Sequence, residues 1–330
     1  MDVLDRVLAP PAVTAVFAAL LFACGAGRHR RVVAPARRRS LRLRGLAFYA
    51  ALATIVAALD SPIDDLADRL FWVHMVQHVL LMMVAAPLLV LGAPWTPMWR
   101  GLSLSWRRTL GAAYMRSPAW RLLRATGRRL ATPVTAWFVF SADLCVWHTP
   151  ALYALTLRSQ AVHDLEHVSF LLLAVLFWAQ VIDSPPLHAR LTYPARVAYV
   201  TLGATVAWAL ALVLAYAPSP LYSTYAHLHS RPGGLSALAD QHIAAGIMWG
   251  PGSIPYAAFV FMALYRWLAP EDGAVTARRN GRPATGSPAT GSADPLASGT
   301  RLRPQPRSRP SEPPAAAPHE VDAGHLARRS

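Results

Sequence analysis

Long apolar runs, a shortage of charge and two isolated arginine-rich loops make this chain an all-α polytopic membrane protein. Its expected form is a seven-transmembrane-helix bundle with the N-terminus outside and the C-terminus cytoplasmic. Of the 330 residues, 54% are hydrophobic and only 15% are charged, whereas soluble domains carry roughly 25% charged residues. Between Val13 and Trp267, several apolar runs approach or exceed the roughly 20 residues that cross a hydrocarbon core of about 30 Å. The net charge of +15 is concentrated: Arg28 to Arg44 holds eight arginines and no acid, and Arg100 to Arg129 holds another eight and no acid. Those sixteen charges leave the rest of the chain at −1 (15 − 16), so the basic character is a topological signal rather than a property of the whole surface. All 32 basic residues are arginine, which alongside the Ala, Pro and Gly richness reads as coding bias.

The expected spans are Ala9–Ala26, Leu46–Leu59, Phe71–Leu91, Pro133–Leu155, Val168–Ile182, Val197–Ala217 and Ile243–Leu268. The first lacks a preceding basic region and a small-residue cleavage site, so it reads as a retained helix rather than a signal peptide. The short second and fifth runs extend into flanking polar turns. Because the two arginine loops follow the first and third spans, they share one side, which the positive-inside rule makes cytoplasmic. The loop carrying Asp60, Asp64, Asp65 and Asp68 then faces outward. Pro87, Pro251, Pro255 and the run Gly250-Pro251-Gly252 are expected to kink or open helices, since proline lacks the N–H and clashes with the preceding turn. After Pro270, Pro, Gly, Ser and Ala dominate, too poor in large apolar residues to form a core. The expected organisation is a transmembrane domain, 1–270, and a disordered cytoplasmic tail, 271–330.

Several function classes fall away. Cys24 and Cys145 lie in different apolar runs and form neither a disulfide framework nor a Cys-x-x-Cys zinc module. No P-loop, dinucleotide fingerprint or nucleophile elbow is present. Arginines beside spans serve topology and contact anionic lipid headgroups, and no nucleic-acid-binding module accompanies them. His163-Asp-Leu-Glu-His167 coincides with the inverse zincin pattern, but at a membrane interface and without a clear distal ligand it is weak ground for a hydrolase.

The histidines carry the chemistry. With the topology fixed by arginines alone, His74, His78, His148, His163, His167 and His242, with the loop residues His227 and His229, map to the outer side. His74 and His78 stand four apart on one helical face, and His163 and His167 repeat that spacing on another. Ionisable residues inside spans are costly and face the bundle interior or an aqueous cavity, so the pairs read as metal or haem contacts. Met82 continues the first stripe inward. Imidazole suits copper, zinc, iron and nickel, and a thioether favours Cu(I), so the combination leans towards copper. His148 and His242 are expected as additional metal contacts, although His148 could equally bond between helices. Asp164 and Glu166 are placed to orient or partly neutralise a cationic site. Asp143 could tether an imidazole, take up a proton or cation, or tie helices through a hydroxyl or tryptophan. Asp240 is either part of the site or an N-cap of the seventh helix. Met82, Met83 and Met248 also fit as packing residues.

These residues carry a family resemblance. His74-Met-Val-Gln-His78, Asp143-Leu-Cys-Val-Trp147-His148-Thr-Pro150, His163-Asp-Leu-Glu-His167 and Asp240-Gln241-His242 running to Gly246-Ile-Met248-Trp249-Gly-Pro251-Gly252 resemble the CtaG-type assembly factors of bacterial caa3 cytochrome c oxidases. The resemblance covers roughly residues 60–270. It implies a multi-pass protein of the bacterial plasma membrane that performs no enzymatic turnover and helps mature the oxidase. It further implies copper delivery at the outer face, where the oxidase's dinuclear copper centre resides, with oxidase subunits and an extracytoplasmic copper chaperone as partners. A haem- or quinone-associated redox protein, a metal permease and a metal-free assembly scaffold are the alternatives.

Overall fold

The computed structural model describes residues 11–30, 37–186, 188–222 and 232–269. The expected tail, 271–330, and the loop residues His227 and His229 lie outside the described residues. Every extended element among those described is helical.

Helix α1 (Pro11–Arg30) pairs with α2 (Arg38–Leu59). The apolar run of α2 is lengthened at its start by Arg38, Arg39, Arg42 and Arg44, residues of high helix propensity, so part of the first arginine loop is helical. Phe22 and Phe48 stack across this pair with ring centroids 4.4 Å apart. A short helix, α3 (Pro62–Ala67), starts at Ser61, whose hydroxyl accepts the Ile63 N–H at 3.1 Å.

The third expected span is one continuous 22-residue helical stretch, Phe71–Gly92. It consists of α4 (Phe71–Val79), a π-helical segment (Leu80–Ala85) and α5 (Ala86–Gly92). The proline expected to kink it, Pro87, is accommodated by that π segment. In an i to i−5 ladder, position 87 would donate to the Met82 carbonyl, and proline has no N–H to give. The Trp178 indole N–H donates to Met82 O at 3.0 Å instead, so the freed carbonyl stays satisfied in the core.

Gly92 sets the contact of α5 with α2. A Cβ at Gly92 would stand 2.9 Å from the Phe48 Cβ and 3.0 Å from its Cα, and backbone cannot yield as a side-chain tip can. Gly92→Ala is expected to cost about 1–3 kcal/mol through this overpacking. A lowered thermal-unfolding midpoint in detergent is the readout, and an unchanged midpoint would show that the two helices can part freely.

The second arginine-rich stretch holds α6 (Trp95–Gly101), α7 (Leu104–Arg116) and α8 (Pro118–Leu130), and neither α7 nor α8 has a buried residue. Helix α8 meets α9 (Pro133–Trp147) at an 88° bend, where Thr132 caps α9 by accepting the Thr135 N–H at 3.4 Å. The expected fourth span, Pro133–Leu155, is cut short. Thr149 precedes Pro150 and is extended (φ −70°, ψ 137°), the conformation proline imposes on its predecessor. The chain restarts as α10 (Pro150–Thr156).

Helices α11 (Gln160–Trp178), α12 (Tyr193–Tyr216) and α13 (Ala237–Trp249) follow, and a 3₁₀ turn, Pro251–Ser253, leads into α14 (Ile254–Leu268). The expected opening at Gly250-Pro251-Gly252 is thus present. Phe140, Phe177, Trp178, Tyr199 and Tyr256 form an aromatic core between α9, α11, α12 and α14.

The described helices make an all-α, multi-pass membrane protein. Five stretches among the described residues are long and apolar enough to cross a membrane, and six if the bent α8–α9 pair is one span. Among the described residues the expected seven are not all reached. The apolar part of α1, Val13–Gly27, is short, and α9 alone, at 15 residues, extends only about 22 Å.

Candidate metal centre

Three helices bring the expected pairs together. Helix α4 supplies His74 and His78, α11 supplies His163, Glu166 and His167, and His148 follows the last residue of α9. All six are buried, His74 and Glu166 completely. Ligand atoms of His74, His163, Glu166 and His167 lie within 4.8 Å of one another. Glu166 sits between the two histidines of α4, with Oε2 3.5 Å from His74 Nε2 and Oε1 3.6 Å from His78 Nε2. The rings of His74 and His163 are 5.1 Å apart, and those of His78 and His167 5.4 Å.

The polar atoms of this cluster are the test of whether it suits a metal. Both ring nitrogens of His74 and His78, Nε2 of His148, His163 and His167, and both oxygens of Glu166 are buried without a hydrogen-bond partner. Native interiors leave few such atoms, and each costs about 1–3 kcal/mol when unsatisfied. His74, His163, Glu166 and His167 each bring one such atom into the group that lies within 4.8 Å, an arrangement that fits a cation. With metal–nitrogen distances of about 2.0–2.1 Å, a tetrahedral set would have donors roughly 3.3 Å apart, so these four need move by no more than about 1 Å each.

The tautomer of His148 is set by its backbone. Nδ1 lies 2.8 Å from Leu144 O, an acceptor only, so Nδ1 carries the proton and Nε2 presents its lone pair inward. The carbonyl of His148 accepts the Tyr222 hydroxyl at 3.0 Å. Burial, and then the nearby Glu166 carboxylate, push the Tyr222 phenol up, which keeps that donor protonated.

The remaining expected site residues are placed differently. Asp143 accepts from the Trp147 indole N–H at 3.0 Å and from the Ser169 hydroxyl at 3.3 Å, tying α9 to α11. Asp164 is partly exposed and accepts from Gln160 Nε2 at 2.9 Å. Met82 is buried and lines a small cavity beside His78 and His148. His242 is exposed on α13 and is not among the grouped donors. Asp240 is an N-cap, but not of its own helix. Ser236 caps α13 by accepting the Ala239 N–H at 3.1 Å, while the buried Asp240 carboxylate accepts the Phe71 and Trp72 N–H groups at 3.0 and 2.9 Å, closing the start of α4.

Two glutamines hold helices together in ways the sequence did not suggest. Gln77 donates to Ala58 O and to Asp64 Oδ1, both at 2.8 Å. Burial raises the Asp64 carboxyl despite that bond. Gln241 donates to Leu214 O at 2.9 Å and accepts the Leu221 N–H at 2.8 Å. Glu166, expected as an accessory group, lies at the centre. Its i+3 spacing from His163 was the available signal, since it places both on one helical face.

The sequence profile of the cytochrome c oxidase caa3 assembly factor (CtaG) family matches residues 11–269. This chain belongs to that family. The family is described as assembly factors of the caa3 oxidase. It is 27% identical over 238 residues to uncharacterised proteins of Mycobacterium bovis and Mycobacterium tuberculosis, and 26% identical over 242 residues to one of Mycobacterium leprae. Each alignment covers 72% of this CtaG-family chain and 36% of the relative, so the chain spans about a third of the length of the curated relatives it matches. No solved structure matches.

Proposed function

We propose that this CtaG-family protein carries Cu(I) to cytochrome c oxidase at the outer face of the bacterial plasma membrane. The observation that carries the reading is the convergence of buried, unpartnered donors from His74, His163, Glu166 and His167, with His78 beside them. The charge balance ranks Cu(I) above divalent ions at this site. One carboxylate among imidazoles that are neutral as ligands offsets one positive charge, so Cu(I) leaves a net-neutral site in a low-dielectric interior, whereas a divalent ion leaves an uncompensated charge there. Transfer proceeds by exchange of imidazole and carboxylate ligands for those of the acceptor, with copper remaining Cu(I).

Placement supports the outer face. The cluster lies at the start of the stretch Phe71–Gly92, and the arginine-rich α6–α8 segment follows its other end, the end that the positive-inside rule assigns to the cytoplasm. The exposed Arg108, Arg121, Arg128 and Arg129 then meet anionic lipid headgroups. On this reading α1 and α9 complete a seven-span bundle by packing and tilt, with the N-terminus outside. Oxidase subunits and an extracytoplasmic copper chaperone are the partners.

Deleting the gene and measuring oxidase activity, copper content and haem content, with and without added copper, tests the proposal. The expected result is a copper-poor, haem-replete oxidase restored by added copper. An oxidase with full copper but defective subunit association would overturn copper delivery in favour of scaffolding.

A further inference from the structure

Beside the His/Glu cluster lies a second cavity, about 40 Å³ in volume, lined by His78 and His148 together with Met75, Met82, Met83 and Met248. Four of the chain's eight methionines therefore border one small space. They come from different elements: Met75 from α4, Met82 and Met83 from the π-helical segment, and Met248 from α13. A π turn within an α-helix is frequent at functional sites, and here it places two consecutive methionines on the same cavity. The volume exceeds the roughly 10–15 Å³ that one water needs, but the thioethers offer water only weak acceptors. The unpartnered polar atoms at this wall are the nitrogens of His78, Nε2 of His148 and the Tyr256 hydroxyl, while Trp208 donates its indole N–H to Ser253 there at 2.6 Å.

We infer that this cavity is a thioether-rich Cu(I) site, a second station that exchanges copper with the His/Glu cluster through His78. Thioether sulfur with imidazole selects Cu(I) and disfavours Zn(II) and harder cations, which prefer nitrogen and oxygen donors. His78 belongs to both places: its Nε2 is 3.6 Å from Glu166 Oε1, and its ring is 6.0 Å from that of His148 across the cavity. Copper passes by associative ligand exchange. A bond to a methionine sulfur or to His148 Nε2 forms as a bond to a cluster ligand breaks, and no electron is transferred. The inference rests on the copper assignment of the His/Glu cluster, and the test separates the two.

The test uses the full chain in detergent under anaerobic, reducing conditions, titrated with Cu(I) against a colorimetric Cu(I) chelator and, separately, with Zn(II). Copper-edge X-ray absorption reads the donor atoms. The native protein is expected to take about two equivalents of Cu(I), with sulfur scattering, and about one of Zn(II). Met82→Leu/Met248→Leu, a volume-conserving pair, is expected to keep the Zn(II) equivalent, which also reports an intact fold, but to lose one Cu(I) and most of the sulfur signal. His74→Ala/His163→Ala is expected to do the reverse, losing Zn(II) and keeping one sulfur-bound Cu(I). If the native protein and the methionine pair bind equal Cu(I) with only nitrogen and oxygen scattering, the methionines are core packing and the second site is overturned while the cluster stands. If neither protein binds Cu(I), both assignments fall.

Discussion

Glu166→Gln is expected to weaken Cu(I) binding at the His/Glu cluster by at least about 100-fold, since loss of a mere supporting partner already costs 10–100-fold. The substitution keeps the shape of the side chain and removes only its negative charge. Glu166 is wholly buried, and its oxygens lie 3.5 and 3.6 Å from His74 and His78, so Gln fits the same space. What changes is the balance of charge: neutral imidazoles around a cation leave a buried +1, a cost the carboxylate otherwise offsets. Cells carrying the variant should make oxidase depleted in copper but not in haem. Competition titration of the purified protein measures the first effect and metal analysis of the oxidase the second. Unchanged affinity in a folded variant would remove Glu166 from the site and, with it, the charge argument for a monovalent ion.

The sequence made the histidine pairs legible because i,i+4 spacing within an apolar run has few structural explanations. It could not reveal their convergence, which depends on how α4 and α11 pack. Glu166 shows the difference. Beside His167 it looked like a supporting acid, and only the approach of α4 makes it the one carboxylate touching histidines from both sides. The run Asp240-Gln241-His242 shows the opposite case. All three residue types can ligate metals, yet Asp240 and Gln241 are spent on backbone groups of α4, α12 and the following loop, while His242 faces outward. Bonds between elements remote in sequence leave no periodic trace. Helix ends were also poorly marked, because arginine extends α2 beyond its apolar run and Pro150 ends α9 within one. The π segment before Pro87 had its cause in plain view, but the indole N–H that satisfies the Met82 carbonyl comes from Trp178, 96 residues away.

Asp240→Ala is expected to destabilise the protein by about 3–6 kcal/mol, the sum for two hydrogen bonds to a charged acceptor at roughly 1.5–3 kcal/mol each. The Phe71 and Trp72 N–H groups are at the first turn of α4, where no intrahelical acceptor exists. Leu70, the residue before the helix, has no side chain able to cap it. The carboxylate also lies against the positive end of the helix, which favours its charge. Without it, both amides are stripped of their partner in an apolar setting, and the first turn is expected to fray. His74 stands just inside that turn, so the metal site loosens along with the helix. Asp240→Asn should recover part of the loss, because one amide oxygen can still accept. Thermal unfolding in detergent reads the stability, and amide exchange at Phe71 and Trp72 reads the fraying. Together they distinguish a capping role from direct metal ligation: a cap predicts faster exchange even in the metal-free protein, whereas a ligand predicts a change only once copper is added.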